Sequence, residues 1–132
     1  MTYRVDFFKH TRKKGRVNRK TTNYGDHKYD SMAEAKYAED LDWRLKAGEI
    51  KAWSPHPNLH FYFVDPITGD RIHLFDYKID FMVEYPNGTI EYVEFKSTWT
   101  STFQEFRFKW SIVDKLWKYS DYAECEKKIV IG

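Results

Sequence analysis

The sequence predicts a mixed α/β domain (α+β mixed) with the element order αβββαβ. Three observations predict it. A capped amphipathic stretch over residues 31–47 reads as a helix. Alternating apolar and polar positions between about residues 58 and 96, interrupted by two turn signals, read as three strands. A second apolar stripe at helical spacing over 103–119 precedes a short apolar run at 128–131. The length, 132 residues, is that of one ordinary domain.

Ser31 is a good N-cap for the first helix and Gly48 a good stop. Ala38, Leu41 and Leu45 recur at helical spacing and are expected to face the core. Residues 58–64 read as the first strand and residues 65–70, Asp-Pro-Ile-Thr-Gly-Asp, as a turn. A second strand is expected from about Ile72 to Tyr85, ending at Pro86-Asn87-Gly88, and a third from about Thr89 to Lys96. On the second, Tyr77, Ile79, Phe81, Val83 and Tyr85 share one face, and Asp76, Lys78, Asp80, Met82 and Glu84 the other. The apolar face packs on the core, so Asp80 is expected to open into a cleft or solvent. On the third, Glu94 and Lys96 share a face with Ile90 and Tyr92, opposite Glu91, Val93 and Phe95. Both faces are mixed, which predicts a central strand with a polar end at a cleft. Phe106, Trp110, Val113 and Trp117 form the stripe of the second helix.

Hydrophobic content of 42% and charged content of 32% describe a soluble globular chain. No apolar run approaches the ~20 residues of a membrane span, and no apolar stretch follows the charged N-terminus as in a secretory signal. The single cysteine, Cys125, cannot form an internal disulfide, which fits a cytoplasmic location. No Cys/His spacing resembles a closed zinc site. The 19% aromatic content serves core packing first, although rings also stack on bases. Charge is unevenly spread: residues 1–28 hold nine Lys/Arg and two Asp/Glu (+7), and residues 29–132 hold 13 and 18 (−5). The expected organisation is a basic, flexible arm over 1–28 and a folded domain over 29–132. Arg12, Lys13, Lys14, Arg16, Arg19 and Lys20 of the arm read either as a solvated tail or as phosphate contacts giving salt-sensitive, sequence-blind affinity.

The chemistry-bearing constellation is Asp80, Glu94 and Lys96. A hairpin folding at Pro86-Asn87-Gly88 brings the three together. Two carboxylates and an ammonium are costly to assemble, and a divalent cation and a phosphate would complete the charge balance. Acid-x-Lys triplets also occur at 26–28, 34–36, 49–51, 76–78 and 126–128, so the triplet alone carries little. Only 76–78 and 94–96 fall clearly inside expected strands, where residues two apart point the same way, and only 94–96 follows an acid-bearing strand across a tight turn. The competing reading is a ladder of surface ion pairs.

Glu34 sits at N3 of a capping box that begins at Ser31. It also lies on the apolar stripe, four residues before Ala38, where it would aim a further carboxylate at the sheet; Glu39 lies off the stripe. Lys109 reads as an exposed helix lysine or as a second cation near the phosphate. His56 and His60, spaced i, i+4 around Pro57, are a conceivable metal pair without an apparent third ligand.

Ser31-x-x-Glu34, Tyr77-x-x-Asp80-Phe81 and Glu94-Phe95-Lys96 together resemble the PD-(D/E)XK nuclease superfamily. The chain is similar, over roughly residues 29–131, to a family of small phage-encoded nucleases within it that are related to Holliday-junction resolvases. That similarity includes the Leu-x-x-Gly-Glu-Ile end of the first helix and Phe106-x-x-Lys109. Ile79 stands where the superfamily's naming proline would be, and Ser97 where a glycine often follows the lysine.

The resemblance implies a restriction-endonuclease-like core, a mixed central sheet flanked by helices. It implies Mg²⁺ (with Mn²⁺ as a substitute) held by Glu34, Asp80, Glu94 and the backbone carbonyl of Phe95. It also implies catalytic roles for Lys96 and Lys109 alongside those acids, and hydrolysis of DNA to a 5′-phosphate and a 3′-hydroxyl. Branched DNA such as a Holliday junction is the expected substrate of so small a domain, and symmetric cutting needs two sites, hence a homodimer. The alternatives are a non-catalytic DNA-binding or phage accessory or inhibitor protein on the same fold, and an RNA-directed nuclease.

Overall fold

The computed structural model describes residues 22–25, 27–29 and 31–132. Its elements are β1 (Thr22–Tyr24), β2 (His27–Tyr29), α1 (Met32–Lys46), β3 (Ala52–Pro55), β4 (Asn58–Val64), β5 (Arg71–Lys78), β6 (Phe81–Glu84), β7 (Ile90–Lys96), α2 (Gln104–Leu116) and β8 (Glu126–Ile131), with short 3₁₀ turns at Thr100–Thr102 and Trp117–Tyr119. A mixed four-stranded sheet runs in the order β3-β6-β7-β8. Its β3/β6 and β6/β7 pairs are antiparallel and β7/β8 is parallel. β4 pairs with β5, and β1 with β2, as two-stranded ribbons.

Two hydrophobic cores sandwich the sheet. On one side Ala35, Ala38 and Leu41 of α1 meet Tyr29, Phe81, Val83 and Val93. On the other, Val113 of α2 and Trp117 meet Leu59, Phe61, Phe75, Tyr77, Ile79 and Tyr92. β7 lies between β6 and β8, as a strand with two mixed faces should. The stripe expected on the second helix runs from half-buried Phe106 and Trp110 to buried Val113 and Trp117.

Helix α1 starts where its cap predicts: the Ser31 hydroxyl accepts the Glu34 N–H at 3.0 Å. It ends at Lys46, followed by Gly48 at φ +80. Leu45 corrects the expected core face, being 39% exposed. None of residues 42–46 is buried, so the last turn extends beyond the packed surface. Asp42 instead anchors neighbours, accepting the Tyr24 hydroxyl at 2.5 Å and the Trp53 indole N–H at 2.9 Å. Residues 22–24 and 27–29, at the end of the basic stretch, thus form a hairpin laid on the domain, with Tyr29 fully buried. Arg12, Lys13, Lys14, Arg16, Arg19 and Lys20 lie outside the described residues.

The single strand expected over 72–85 is two strands. Residues 79–80 interrupt it, and residues 56–57 interrupt the strand opposite. The breaks face each other and are bridged by hydrogen bonds from His56 N–H to the Asp80 carbonyl (2.8 Å) and from Ile79 N–H to the Pro57 carbonyl (3.1 Å). The alternation stays in phase across the break, but the core it serves changes. Tyr77 and Ile79 pack on the α2 side, Phe81 and Val83 on the α1 side. β3 was not expected: it is four residues long, ends in a proline and forms the sheet edge beside β6.

The turn at 86–88 forms as its residues dictate. Gly88 takes φ +89, its N–H bonds the Tyr85 carbonyl at 2.9 Å, and the Asn87 side chain accepts the Thr89 N–H at 2.9 Å. The resulting β6/β7 register sets Phe81 opposite Val93, which leaves Asp80 and Glu94 as the next pair at the open end.

Candidate metal centre

Four elements converge at that open end. Asp80 sits in the break between β5 and β6, and its Oδ2 accepts the Phe95 N–H at 2.7 Å. On the next strand, Glu94 is 2% exposed. Its Oε2 accepts the Tyr77 hydroxyl at 2.7 Å, and its Oε1 lies 3.3 Å from Lys96 Nζ. Lys96 rests over the Phe106 ring of α2, 5.1 Å from its centroid. The sheet pleat explains the grouping: Glu94 and Lys96 share the face of Tyr92, which packs toward α2.

Glu34 arrives from the first turn of α1, turned inward and 5% exposed. Its carboxylate, the His56 ring and the Asp80 carboxylate present ligand atoms that all lie within 4.8 Å of one another. His56 Nδ1 is 4.0 Å from Glu34 Oε1. Asp80 therefore links two halves, Glu34 and His56 on one side and Glu94 and Lys96 on the other.

The electrostatics are those of a site with surplus negative charge. Burial, then repulsion from Asp80, pushes the Glu94 carboxyl up to about 8, with Lys96 pulling the other way. Burial and the Glu94 charge raise the Tyr77 phenol, which keeps its proton and stays a donor. Glu91, also buried on β7, differs: Lys128 Nζ lies 3.2 Å away and the Tyr85 hydroxyl donates to it at 3.0 Å, so its charge is balanced by these partners.

Lys109 lies on α2 and ion-pairs with Glu105 at 3.0 Å. It is one turn from Phe106 and beside Trp110, on the helix face that meets Lys96 and Tyr77. For Phe95, the N–H points to Asp80, and the Lys96 carbonyl points the other way, to the Gly132 N–H at 3.0 Å. N–H and C=O of one strand residue face the same edge, so the Phe95 carbonyl faces the Asp80 edge.

The structure separates the two histidines considered as a pair. His56 joins Glu34 and Asp80, while His60 joins His73 and Asp76. His56 stands at φ +55, a left-handed conformation uncommon outside glycine. Its ring sits 5.3 Å from that of Tyr29 and its Nε2 lies 3.3 Å from the Lys28 carbonyl. Nothing in the sequence signals this beyond the neighbouring prolines.

A family model described as protein of unknown function (DUF1064) matches residues 12–128. The chain belongs to the DUF1064 family. The match takes in Glu34, His56, Asp80, Glu94, Lys96 and Lys109, as well as the basic residues from Arg12 to Lys20. No curated protein and no solved structure matches this DUF1064 member. Among its described residues no helix is long and apolar enough to cross a membrane.

Proposed function

We propose that this DUF1064 protein is a Mg²⁺-dependent endodeoxyribonuclease with a restriction-endonuclease-like core, cutting branched DNA such as a four-way junction. The observation that carries the reading is the cluster Asp80, Glu94 and Lys96 at the open end of β6 and β7, completed by Glu34 from α1. Buried Glu94 and Glu34 beside half-buried Asp80, with the Glu94 carboxyl pushed up to about 8, are what a divalent cation relieves. Carboxylate oxygens and a backbone carbonyl are the donors Mg²⁺ and Mn²⁺ prefer.

Asp80, Glu94 and Glu34 would hold the ion, with the Phe95 carbonyl on the same edge. When bound, the ion supplies Lewis-acid activation of the phosphodiester and of an attacking water. The chain's own groups do the rest. The Phe95 N–H and the Tyr77 hydroxyl fix one oxygen each of Asp80 and Glu94, so the carboxylates are oriented before substrate arrives. Lys96, held between Glu94 and the Phe106 ring, is placed to stabilise charge gathering on the phosphoryl oxygens. Lys109, on the same helix face as Phe106, adds positive charge along the strand's path. The basic residues of the arm would hold the DNA backbone without reading sequence, and a homodimer would place two such sites on one junction.

Calorimetric titration with Mg²⁺ tests the metal assignment. Asp80→Asn is expected to weaken binding by about tenfold or more; an unchanged isotherm would remove Asp80 from the ligand set.

A further inference from the structure

We propose that His60, His73 and Asp76 form a second metal site, for a borderline transition cation such as Zn²⁺, on the outer face of the β4/β5 ribbon. The site is separate from the carboxylate centre and does not depend on the nuclease reading.

The ribbon's register builds it. Leu59 and Phe61 on β4, and Phe75 and Tyr77 on β5, pack inward, so His60 and its cross-strand partner Asp76 point outward. His73 lies three residues from Asp76, and strict alternation would turn it to the opposite face. A register shift between Phe61 and Tyr62 prevents this: Phe61 pairs with Phe75 but Tyr62 pairs with His73, leaving Leu74 as the extra residue. Leu74 packs on the same core as Phe75, and His73 is returned to the outer face. Bulges of this kind re-aim a side chain, and here the re-aimed side chain is a potential ligand.

The geometry is compact. His60 Nδ1 and His73 Nε2 each lie 2.6 Å from the same Asp76 oxygen, Oδ1. All three ligand atoms lie within 4.8 Å of one another. Asn58 Nδ2 lies 3.5 Å from the other carboxylate oxygen, and the Tyr62 ring packs edge-on against His73, 5.5 Å between centroids.

Two imidazole nitrogens and one carboxylate oxygen suit Zn²⁺ and its transition-metal neighbours and are a poor set for Mg²⁺. Three protein ligands leave at least one coordination position for water or an incoming group. To bind, His60 would present its Nδ1 lone pair and His73 its Nε2 lone pair, each ring carrying its hydrogen on the remaining nitrogen.

Calorimetric titration of the full chain with Zn²⁺ in excess Mg²⁺ tests the assignment, using wild type, His60→Ala, His73→Ala and Asp80→Asn. The expected result is one Zn²⁺ per chain in wild type, retained in Asp80→Asn and weakened at least roughly tenfold in both histidine variants. His60 is the safer substitution, its side chain being 46% exposed; circular dichroism checks folding, and His60→Ala decides alone if His73→Ala does not fold. Absence of Zn²⁺ binding in wild type, or affinity unchanged in folded His60→Ala, would overturn the proposal and leave the triad as hydrogen bonding only. Binding lost in Asp80→Asn alone would overturn it by placing the Zn²⁺ at the carboxylate centre.

Discussion

The Tyr77 hydroxyl donates to Glu94 Oε2 at 2.7 Å, joining the end of strand β5 in one two-stranded ribbon to the interior strand β7 of the main sheet. The phenol belongs to the apolar core, yet its polar tip reaches the candidate metal centre. Tyr77→Phe keeps the ring and removes this bond. It is expected to cost stability by about 1 kcal/mol and to lower cleavage by roughly 10- to 100-fold, because Glu94 loses its fixed orientation. Thermal melts and single-turnover rates measure the two effects separately. Full activity in the variant would mean that the bond is only structural.

Glu94 itself carries a pH signature. Its folded value, about 8, lies above its ordinary value of 4.5. The folded state then binds more protons than the unfolded state between those values, so stability of the metal-free protein falls as pH rises from 4.5 to about 8. Glu94→Gln removes this dependence. Without metal, the variant is expected to melt above wild type at pH 8, with the gap closing near the acid end of that window. Added Mg²⁺ should raise the melting temperature of wild type at pH 8 and leave the variant unmoved. Identical pH profiles for the two proteins would contradict the assignment.

His56 combines a strained backbone with a ring beside Glu34 and Asp80. Glycine adopts φ +55 without cost, so His56→Gly should be more stable than His56→Ala by about 1 kcal/mol. Both variants should bind Mn²⁺ more weakly than wild type, since both lose the imidazole. Chemical denaturation and a Mn²⁺ titration are the measurements. Wild-type Mn²⁺ affinity in both would remove His56 from the centre.

Much of this arrangement is legible in the chain because it rests on local rules. Ser31 and Gly48 bracket α1, Asn87 and Gly88 set the hairpin, and that hairpin alone brings Asp80 to Glu94 and Lys96. Glu34 is readable as inward from its place on the apolar stripe. What escapes is non-local. The break at 79–80 is silent because the alternation keeps its phase while the chain passes from one core to the other. β3 is short and ends in proline, so only its pairing with β6 makes it a strand. Leu45 continues the stripe but overhangs the packed surface. His73 has the wrong parity until the bulge at Leu74 corrects it, and His56 reaches Glu34 only because its backbone turns left-handed.

The most direct measurement is cleavage of labelled four-way junction, flap, linear duplex, single-stranded DNA and RNA, with Mg²⁺, Mn²⁺ or EDTA, using wild type beside Lys96→Ala. The expected result is metal-dependent cutting with preference for the junction, abolished by EDTA and by Lys96→Ala while the variant still binds DNA. Binding without cutting of any substrate, or cutting that survives Lys96→Ala, would contradict it.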